Sequence, residues 1–450
     1  MRRTVSSGCV SVDLTDRIIC DRSITRPNSH KKKHAPCSFE YNRWQTKNLS
    51  RIKRTGVPFV ISDKYTFYEF FAGGGMARAG LGKDWECLFA NDVDELKAAT
   101  YISNWGRDHF DDRDVRKVSV DDLEGGVDLA WASFPCQDLS LAGNGLGVGR
   151  ANDGSETRSG ALWPFLRLVE NLRRTRRHPT LLVLENVVGL LTLDGGLDFA
   201  AICDALGAIG YRYGAVVADA KHFVPQSRPR VFLIAVRRER EIQADLCSDG
   251  PTLAWHTQPL VRAFDVLSSK SQKDWIWWDL GTAPKLRKNS LLRSIDLDSA
   301  TWDTAAETKR LLGMMSPAHL ARLRNAQAED GPHVGSLYLR MRREGEKNRQ
   351  RAEIAFGPTL GCLRTPRGGA SRPRIIYVDG KTVKTRLLTV SEAAKLMGLT
   401  PNYLLPDGYY RAFKVIGDGV VVPVVRFLAD RLLEPVAAGK YERDDQHLAA

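Results

Sequence analysis

The sequence lacks a long apolar run. No stretch approaches the roughly 18 consecutive apolar residues of a membrane-spanning helix, and residues 1–25 contain no apolar signal core. This pattern argues against a membrane partner and against secretion. We expect a cytoplasmic protein, associated with the nucleoid if its source is bacterial.

Cysteine is scarce and unpaired. The eight cysteines among 450 residues are scattered without paired spacing, which favours reduced thiols over a disulfide framework. His30, His34 and Cys37 are spaced like metal ligands, but no second ligand pair follows them, so we predict no metal site. One cysteine, Cys136, stands apart because of its neighbours.

Acidic residues are few near the amino terminus. Residues 1–54 hold 13 Lys/Arg and 4 Asp/Glu, which accounts for most of the net charge of +13. With few large apolar residues, this segment is predicted to be a disordered basic tail that could follow a phosphate backbone. A merely solvated extension is the alternative.

From Tyr65 to Arg240 the sequence repeats a pattern of strand, turn and helix, with predicted strands at 65–71, 86–90, 127–133, 181–184, 213–218 and 231–236. This pattern predicts an α/β fold in which helices wrap a mostly parallel sheet. The rhythm stops after Arg240. We predict a tail over 1–56, a first domain over 57–240 that is completed by 415–437, a smaller domain over 241–414, and a tail over 438–450.

A glycine-rich turn follows the first predicted strand. Phe71-Ala72-Gly73-Gly74-Gly75 would let a ligand approach the backbone, and Asp92, with Val93 beside it, ends the second strand where a carboxylate can bind both ribose hydroxyls. Asp114 could contact an adenine amino group. The alternatives are a tight turn for the glycines, a helix cap for Asp92 and a surface acid for Asp114.

Two polar motifs follow further strands. Pro135-Cys136-Gln137 ends the strand at 127–133, and Glu185-Asn186-Val187 ends the strand at 181–184. Because ligands bind at the carboxyl ends of parallel strands, a thiol and a carboxylate could share one pocket. There the thiol could attack a nucleobase, and the carboxyl could hold a proton against a ring nitrogen. A buried structural cysteine and a core-edge acid are the alternatives.

Arginines mark two further segments. Gln226, Arg228 and Arg230 precede the strand at 231–236, and guanidinium groups there suit a phosphate or a base oxygen. A loop bearing Arg364, Arg367 and Arg372 suits a nucleic-acid backbone, with a solvated loop as the alternative. The tryptophan cluster near residue 275 is interpreted as the core of its domain rather than a base-stacking platform.

These motifs, in this order, resemble those of the DNA (cytosine-5) methyltransferase family over most of residues 65–433. The family's Phe-x-Gly-x-Gly, Pro-Cys-Gln, Glu-Asn-Val and Gln-x-Arg-x-Arg are matched at 71–75, 135–137, 185–187 and 226–230. Its Gly-Asn-x-Val is approximated by Gly417-Asp418-Gly419-Val420, where Asp418 replaces the usual asparagine and brings a charge near the cofactor.

The resemblance implies a Rossmann-like methyltransferase fold with a smaller target-recognition domain. It also implies S-adenosyl-L-methionine as cofactor and sequence-specific methylation of cytosine carbon 5 in double-stranded DNA after base flipping. The implied catalytic residues are Cys136, Glu185, Arg228 and Arg230. The implied cofactor-binding residues are Phe71, Gly73, Gly75, Asp92, Val93, Asp114, Pro135, Asp418 and Val420, and the implied DNA-binding residues are Gln226, Arg364, Arg367 and Arg372.

The resemblance further implies a mobile loop over Ser140–Gly160 that closes on the flipped base. We expect a monomer that requires no bound partner, although a companion restriction endonuclease could accompany it in the cell. Three other readings stay open: a transfer-RNA cytosine methyltransferase, a non-catalytic DNA-binding subunit, and a nicotinamide oxidoreductase. The last would leave the Pro-Cys-Gln, Glu-Asn-Val and arginine motifs unexplained.

Overall fold

The structure is a computed structural model that describes residues 64–135, 158–285, 290–298, 301–366 and 371–439. Cys136, Arg367, the predicted amino-terminal tail and most of the predicted loop Ser140–Gly160 lie outside these ranges. The described part of Ile61–Ala450 forms one compact unit. Among the described residues, no helix is long and apolar enough to cross a membrane.

A seven-stranded sheet with the order β3-β2-β1-β4-β5-β7-β6 forms the centre of the molecule. Its strands are β1 (Tyr65–Phe70), β2 (Trp85–Asn91), β3 (Phe110–Asp111), β4 (Leu129–Ala132), β5 (Leu181–Val187), β6 (Tyr211–Asp219) and β7 (Pro229–Arg237). All pairings are parallel except those of β7, which runs antiparallel to both β5 and β6. The nine residues that join β6 to β7 are too few for a crossover helix, so an antiparallel pairing follows. The predicted mostly parallel α/β sheet is confirmed.

Both faces of this sheet are buried. Phe67, Trp131 and Val183 belong to the apolar cluster on one face, whereas Tyr68 and Ala132 belong to the cluster on the other. Successive side chains of a strand point to opposite faces, so a strand buried on both sides reads as a continuous apolar run. This is why the strands could be found in the sequence.

Helices cover the two faces and surround the second sheet described below. They are α1 (Met76–Leu81), α2 (Glu95–Trp105), α3 (Leu162–Arg174), α4 (Leu197–Ala208), α5 (Gln258–Val266), α6 (Ser269–Lys273), α7 (Ser290–Ser294), α8 (Ala305–Gly313), α9 (Pro317–Ala328), α10 (Val390–Leu396), α11 (Tyr409–Asp418), α12 (Val422–Leu428) and α13 (Glu434–Ala438). A π-helical turn, Ala429–Leu433, joins α12 to α13. Leu81 of α1 and Val425 of α12 share a buried cluster, so the carboxyl-terminal helices pack on the large sheet.

Two short strands, β8 (Cys247–Ser248) and β9 (Trp277–Trp278), pair with each other, and a smaller antiparallel sheet has the order β11-β10-β12-β13. Its strands are β10 (His333–Glu344), β11 (Lys347–Phe356), β12 (Arg374–Asp379) and β13 (Thr382–Leu387). Leu311 of α8 and Leu323 of α9 pack against Leu337 and Ile376 in a separate apolar cluster. This segment is the centre of the predicted smaller domain.

The predicted boundaries of the smaller domain, 241–414, are wider than the segment that packs around the small sheet. The tryptophan cluster packs on the large sheet instead: Trp278 Nε1 donates to the Ile234 carbonyl at 3.2 Å, in β7. Gly214 of β6 makes this approach possible, since a Cβ there would lie 1.8 Å from the Ile276 carbonyl oxygen. The interpretation of this cluster as core is right, but the core belongs to the large sheet.

Candidate active site

One cavity of about 560 Å³ opens at the carboxyl ends of the parallel strands. It lies where open α/β sheets bind ligands. The predicted site residues that line it are Phe71, Gly73, Asp92, Val93, Asp114, Pro135, Glu185, Arg228, Arg230, Asp418 and Val420. The fold therefore brings together residues that are up to about 350 positions apart in the chain.

The turn after β1 has a backbone that suits glycine. Gly73 and Gly75 have φ angles of 58° and 78°, in the left-handed region that other residues rarely adopt. Tyr403 Oη donates to the Gly74 carbonyl at 2.6 Å and holds the turn against the segment before α11. Phe71 is also left-handed, with φ 54°, which indicates a strained turn beside the cavity.

Asp92 binds the glycine turn rather than capping a helix. Its carboxylate accepts from Gly73 N at 2.8 Å and from Asp94 N at 2.9 Å. Asp94, not Asp92, caps α2, so the alternative of a helix cap is wrong. Burial raises the pKa of Asp92, although the nearby Lys97 ammonium acts in the opposite direction.

The wall next to Asp92 continues to β3 and presents apolar and charged groups. Val93 is 64% exposed and lines the cavity, so it offers an apolar surface to a ligand. Asp114 pairs with Arg116 at 3.0 Å and caps the short turn that follows it. Both side chains line the cavity, and a contact between Asp114 and an adenine amino group stays a prediction.

The other end of the cavity holds a buried carboxylate and a guanidinium. Glu185 Oε1 lies 3.2 Å from Arg230 Nε, and both side chains are largely buried. Burial raises the pKa of Glu185, and the Arg230 charge opposes that effect. Such a carboxyl can carry a proton closer to neutral pH than an exposed glutamate does. The ion-pair partner of Glu185 is therefore an arginine that lines the same cavity.

The backbone leading to Cys136 is anchored on both sides. Asn186 Nδ2 donates to the Phe134 carbonyl at 3.0 Å, and Ser159 Oγ donates to the Pro135 carbonyl at 2.8 Å. Asn186 of the Glu-Asn-Val motif therefore fixes the segment that precedes the cysteine. Cys136 itself lies outside the described residues.

Arg228 holds backbone in place. Its guanidinium donates to the carbonyls of Leu363, Gly417 and Gly419 at 2.7, 2.7 and 2.8 Å. It is 2% exposed and joins three chain segments at the cavity. This geometry indicates a positioning role, whereas Arg230 faces Glu185.

Gln226 does not face solvent, and its predicted contact with DNA is wrong. The side chain is fully buried, Nε2 donates to the Leu396 carbonyl at 2.8 Å, and Oε1 accepts from Leu363 N at 3.0 Å. Its amide thus connects the turn before β7 to α10 and to the loop around Leu363. A short polar motif does not reveal whether its amide faces solvent or the interior.

The predicted DNA-contacting arginines have different surroundings. Arg364 is exposed, and its carbonyl carbon would lie 2.7 Å from a Cβ on Gly417, which places this loop directly beside the cavity wall. Arg372 is half-buried, with its guanidinium 5.9 Å from the Tyr409 ring centroid. Arg367 lies outside the described residues. Contacts of these arginines with DNA stay predictions.

Lys97 is a cavity residue that the motifs did not reveal. Its ammonium lies 2.9 Å from Asp418 Oδ2, and it extends from α2 into the lining. Burial would lower the pKa of Lys97, but the carboxylates of Asp418 and Asp92 raise it above its ordinary value. No signal in the sequence marks this lysine, because it reads as one of many surface charges on a helix.

The cavity fits a nucleoside cofactor with an amino-acid tail. Asp92 and the glycine turn suit a ribose, exposed Val93 suits a base, and the charged pair of Lys97 and Asp418 suits a zwitterion. Glu69 Oε2 is buried, faces the same cavity and has no hydrogen-bond partner among the described residues. Buried polar atoms normally have a hydrogen-bond partner, and a bound ligand would provide one for this oxygen.

A family model and several known proteins match this chain. A family model described as C-5 cytosine-specific DNA methylase matches residues 65–434. The chain is 23% identical over 385 residues to Type II methyltransferase M1.ScrFI of Lactococcus lactis subsp. cremoris, covering 84% of this chain and 80% of that protein. It is 25% identical over 381 residues to Type II methyltransferase M.HpaII of Haemophilus parainfluenzae, covering 83% and 90%. The crystal structure of the S. pombe Dnmt2 methyltransferase has 15% identity and a TM-score of 0.49, covering 83% of this chain and 99% of that one.

Proposed function

Because this chain belongs to the C-5 cytosine-specific DNA methylase family, we propose that it methylates carbon 5 of a cytosine within a short sequence of double-stranded DNA. The observation that carries the proposal is the pairing of Glu185 with Arg230 in the cavity that also holds the glycine turn and Asp92. Pro135, which immediately precedes Cys136 in the chain, lines the same cavity.

The cytosine reaches this cavity only if it leaves the duplex, so the proposal includes base flipping. The Cys136 thiolate then adds to carbon 6, and the ring electrons move towards carbon 5. Glu185 shares its proton with N3, which neutralises the charge that builds up on the ring. Arg230 orients Glu185 and offers a positive charge to the ring's carbonyl side.

S-adenosylmethionine, when bound, would supply the methyl group that carbon 5 accepts, and its sulfur would keep the bonding electrons in the leaving S-adenosylhomocysteine. The residues proposed to hold it are Gly73, Asp92, Val93, Asp114 and Asp418, with Lys97 added from the structure. Afterwards a base takes the carbon-5 proton, the bond between carbon 6 and sulfur breaks, and the proton shared with N3 returns to Glu185, which restores the aromatic ring, the carboxyl and the thiolate.

We propose further that the enzyme acts as a monomer and needs no bound companion. Its two relatives above carry the designation Type II methyltransferase. A restriction endonuclease of the same specificity could therefore accompany it in the cell without contacting it. The presence of such an endonuclease in the cell would explain why a methyltransferase that is not bound to it reads a defined sequence.

The test is methyl transfer from labelled S-adenosylmethionine to duplex DNA, with transfer RNA as the competing substrate and a Cys136→Ser protein as the control. We expect label in duplex DNA only, and none with the variant. Bisulfite sequencing of DNA from cells that express the protein then gives the recognised sequence. Label in transfer RNA but not in DNA, or full activity of the serine variant, would overturn the proposal.

A further inference from the structure

A two-stranded hairpin projects from the small sheet. β10 pairs with β12 only over His333–Leu337, whereas its pairing with β11 continues to Glu344. The seven residues from Tyr338 to Glu344 thus extend beyond the third strand by about 23 Å at roughly 3.3 Å per residue. Gly345, with φ 61°, begins the two-residue turn at the tip.

One face of this hairpin is strongly cationic. Cross-strand partners share a face, so Arg340 lies with Arg351, Arg342 with Arg349, and Glu344 with Lys347. We call these six residues the cationic face. Glu353 follows on the same face and binds Arg342 at 2.5 Å, while Glu344 binds Arg351 at 2.6 Å.

The opposite face changes character along the hairpin. At its base, Leu337 and Ile354 belong to the apolar cluster of the small sheet. Towards the tip the same face carries Met341, Arg343, Asn348 and Gln350, which we call the amide face. Met341 is 59% exposed, so this apolar side chain is not packed in the protein interior.

Edge protection accounts for charged residues on this hairpin but not for their sign. Beyond Leu337 both β10 and β11 are edge strands, and charged side chains on an edge prevent sheets from joining. The face carries four arginines and one lysine but only two carboxylates, and each carboxylate is shared by two arginines: Glu353 by Arg340 and Arg342, and Glu344 by Arg349 and Arg351. This excess of positive charge favours a polyanionic partner.

From this geometry we propose that the hairpin inserts into the major groove of duplex DNA, with the cationic face on phosphates and the amide face on base edges. The inference rests on the proposed function and names the element that reads the sequence. The B-DNA major groove is about 12 Å wide, admits a two-stranded ribbon and distinguishes all four base pairs, whereas the minor groove, at about 6 Å, distinguishes little more than A·T from G·C. Asparagine and glutamine pair with adenine, arginine pairs with guanine, and an apolar group contacts the thymine methyl.

The two faces make separable predictions about binding. Neutralising Arg340, Lys347 and Arg349 leaves the two shortest ion pairs of the hairpin in place. This variant, R340Q/K347Q/R349Q, should weaken binding to the recognised duplex and to a scrambled duplex alike. Its plot of log affinity against log salt should be shallower by about 2 to 3, because each lost phosphate contact removes about 0.9. The N348A/Q350A variant should lower the preference for the recognised duplex by about tenfold or more and leave the scrambled duplex unaffected.

The recognised duplex is first selected from a pool of random-sequence duplexes by binding to the full chain, so that no step depends on methyl transfer. Fluorescence anisotropy with the full chain then measures these affinities over a salt series. R262Q/K270Q/K273Q is the matched control, because it removes the same charge from exposed positions on α5 and α6 that do not line the cavity. Thermal unfolding of each variant confirms that it is folded. If R340Q/K347Q/R349Q has the same salt slope as the control, the cationic face does not contact phosphates. If N348A/Q350A keeps the parent's sequence preference, the amide face does not contact base edges.

Duplex RNA of the same sequence serves as a competitor. The deep, narrow major groove of A-form RNA excludes a ribbon, so we expect weak competition, and equal competition would overturn the groove assignment.

Failure of the hairpin proposal can be distinguished from failure of the proposed function. If the parent protein methylates duplex DNA while the hairpin variants bind like the control, the hairpin proposal fails and the enzyme assignment stands. If the parent does not methylate DNA but the variants show the expected binding changes, only the enzyme assignment fails.

Discussion

Lys97 Nζ lies 2.9 Å from Asp418 Oδ2 in the wall of the cofactor cavity. Asp418 stands where the family's motif has a neutral asparagine, so the fold supplies a positive charge to balance it. Thr365 Oγ1 donates to the other oxygen, Asp418 Oδ1, at 3.2 Å. Asp418 departs from the motif, but both of its carboxylate oxygens have a partner, so the substitution does not leave an unpaired charge in the site.

We expect Lys97→Ala to weaken binding of S-adenosylhomocysteine by about tenfold, because Asp418 would then repel the ligand's carboxylate at close range. The double variant Lys97→Ala/Asp418→Asn should recover most of that loss, since neither charge remains. Isothermal titration calorimetry measures each affinity. Lys414→Ala is the matched control: Lys414 also joins α11 to α2, through Asp94, but does not line the cavity. Equal losses for the Lys97 and Lys414 variants would mean that Lys97 only holds the helices together.

Glu69 should make the stability of the protein depend on pH. Burial raises the pKa of this carboxyl to about 8, although the Arg78 charge opposes the effect. A carboxyl with a raised folded-state pKa contributes stability that is complete below its unfolded pKa, near 4.5, and is lost as the pH rises towards 8.

The free energy of unfolding should therefore fall between about pH 5 and pH 8, by at most roughly 1.4 kcal/mol per pH unit from this group. Glu69→Gln should flatten the fall, as denaturant titrations at several pH values would show. Glu95→Gln, at an exposed position on α2, is the control and should keep the parent's slope. If the Glu69 and Glu95 variants have the same slope, Glu69 is ionised in the folded protein and the prediction fails.

The sequence predicted the strands of the large sheet and the residues at their ends, because both signals are local. A buried strand reads as a short apolar run, and Gly73 or Pro135 ends it abruptly. The sequence did not predict that Lys97 would meet Asp418 or that Gln226 would be buried against Leu396. Those contacts join residues more than 150 positions apart, and only packing determines them. No local pattern in the sequence reveals either that Trp278 binds Ile234, in a strand 44 residues earlier.

A substitution at Arg228 should mainly lower stability, whereas a substitution at Arg230 should mainly lower activity. The Arg228 guanidinium donates hydrogen bonds to three carbonyl oxygens, and a lysine ammonium cannot reach all of them. Arg228→Lys should therefore lower the free energy of unfolding by about 1 to 3 kcal/mol. Arg230→Lys should leave the melting temperature close to that of the parent and reduce methyl transfer about tenfold or more, because the geometry at Glu185 changes. Thermal unfolding and methyl transfer measured on both proteins check this, and a reversed pattern would exchange their roles.

Glu185 should limit methyl transfer at high pH. Burial raises the pKa of its carboxyl, with Arg230 acting against the shift. In the proposed reaction the protonated carboxyl serves N3 of the cytosine, so the rate should fall as the pH rises through this raised pKa. Glu185→Gln removes the ionisable proton but keeps the size of the side chain. We expect it to transfer methyl groups about 100-fold more slowly or worse, in line with the loss of a general acid, and without that fall at high pH. Single-turnover methyl transfer across a pH series gives both quantities, and calorimetry with S-adenosylhomocysteine should show unchanged cofactor affinity. A variant that keeps the parent's decline would assign the titration to another group, with Cys136 the first to examine.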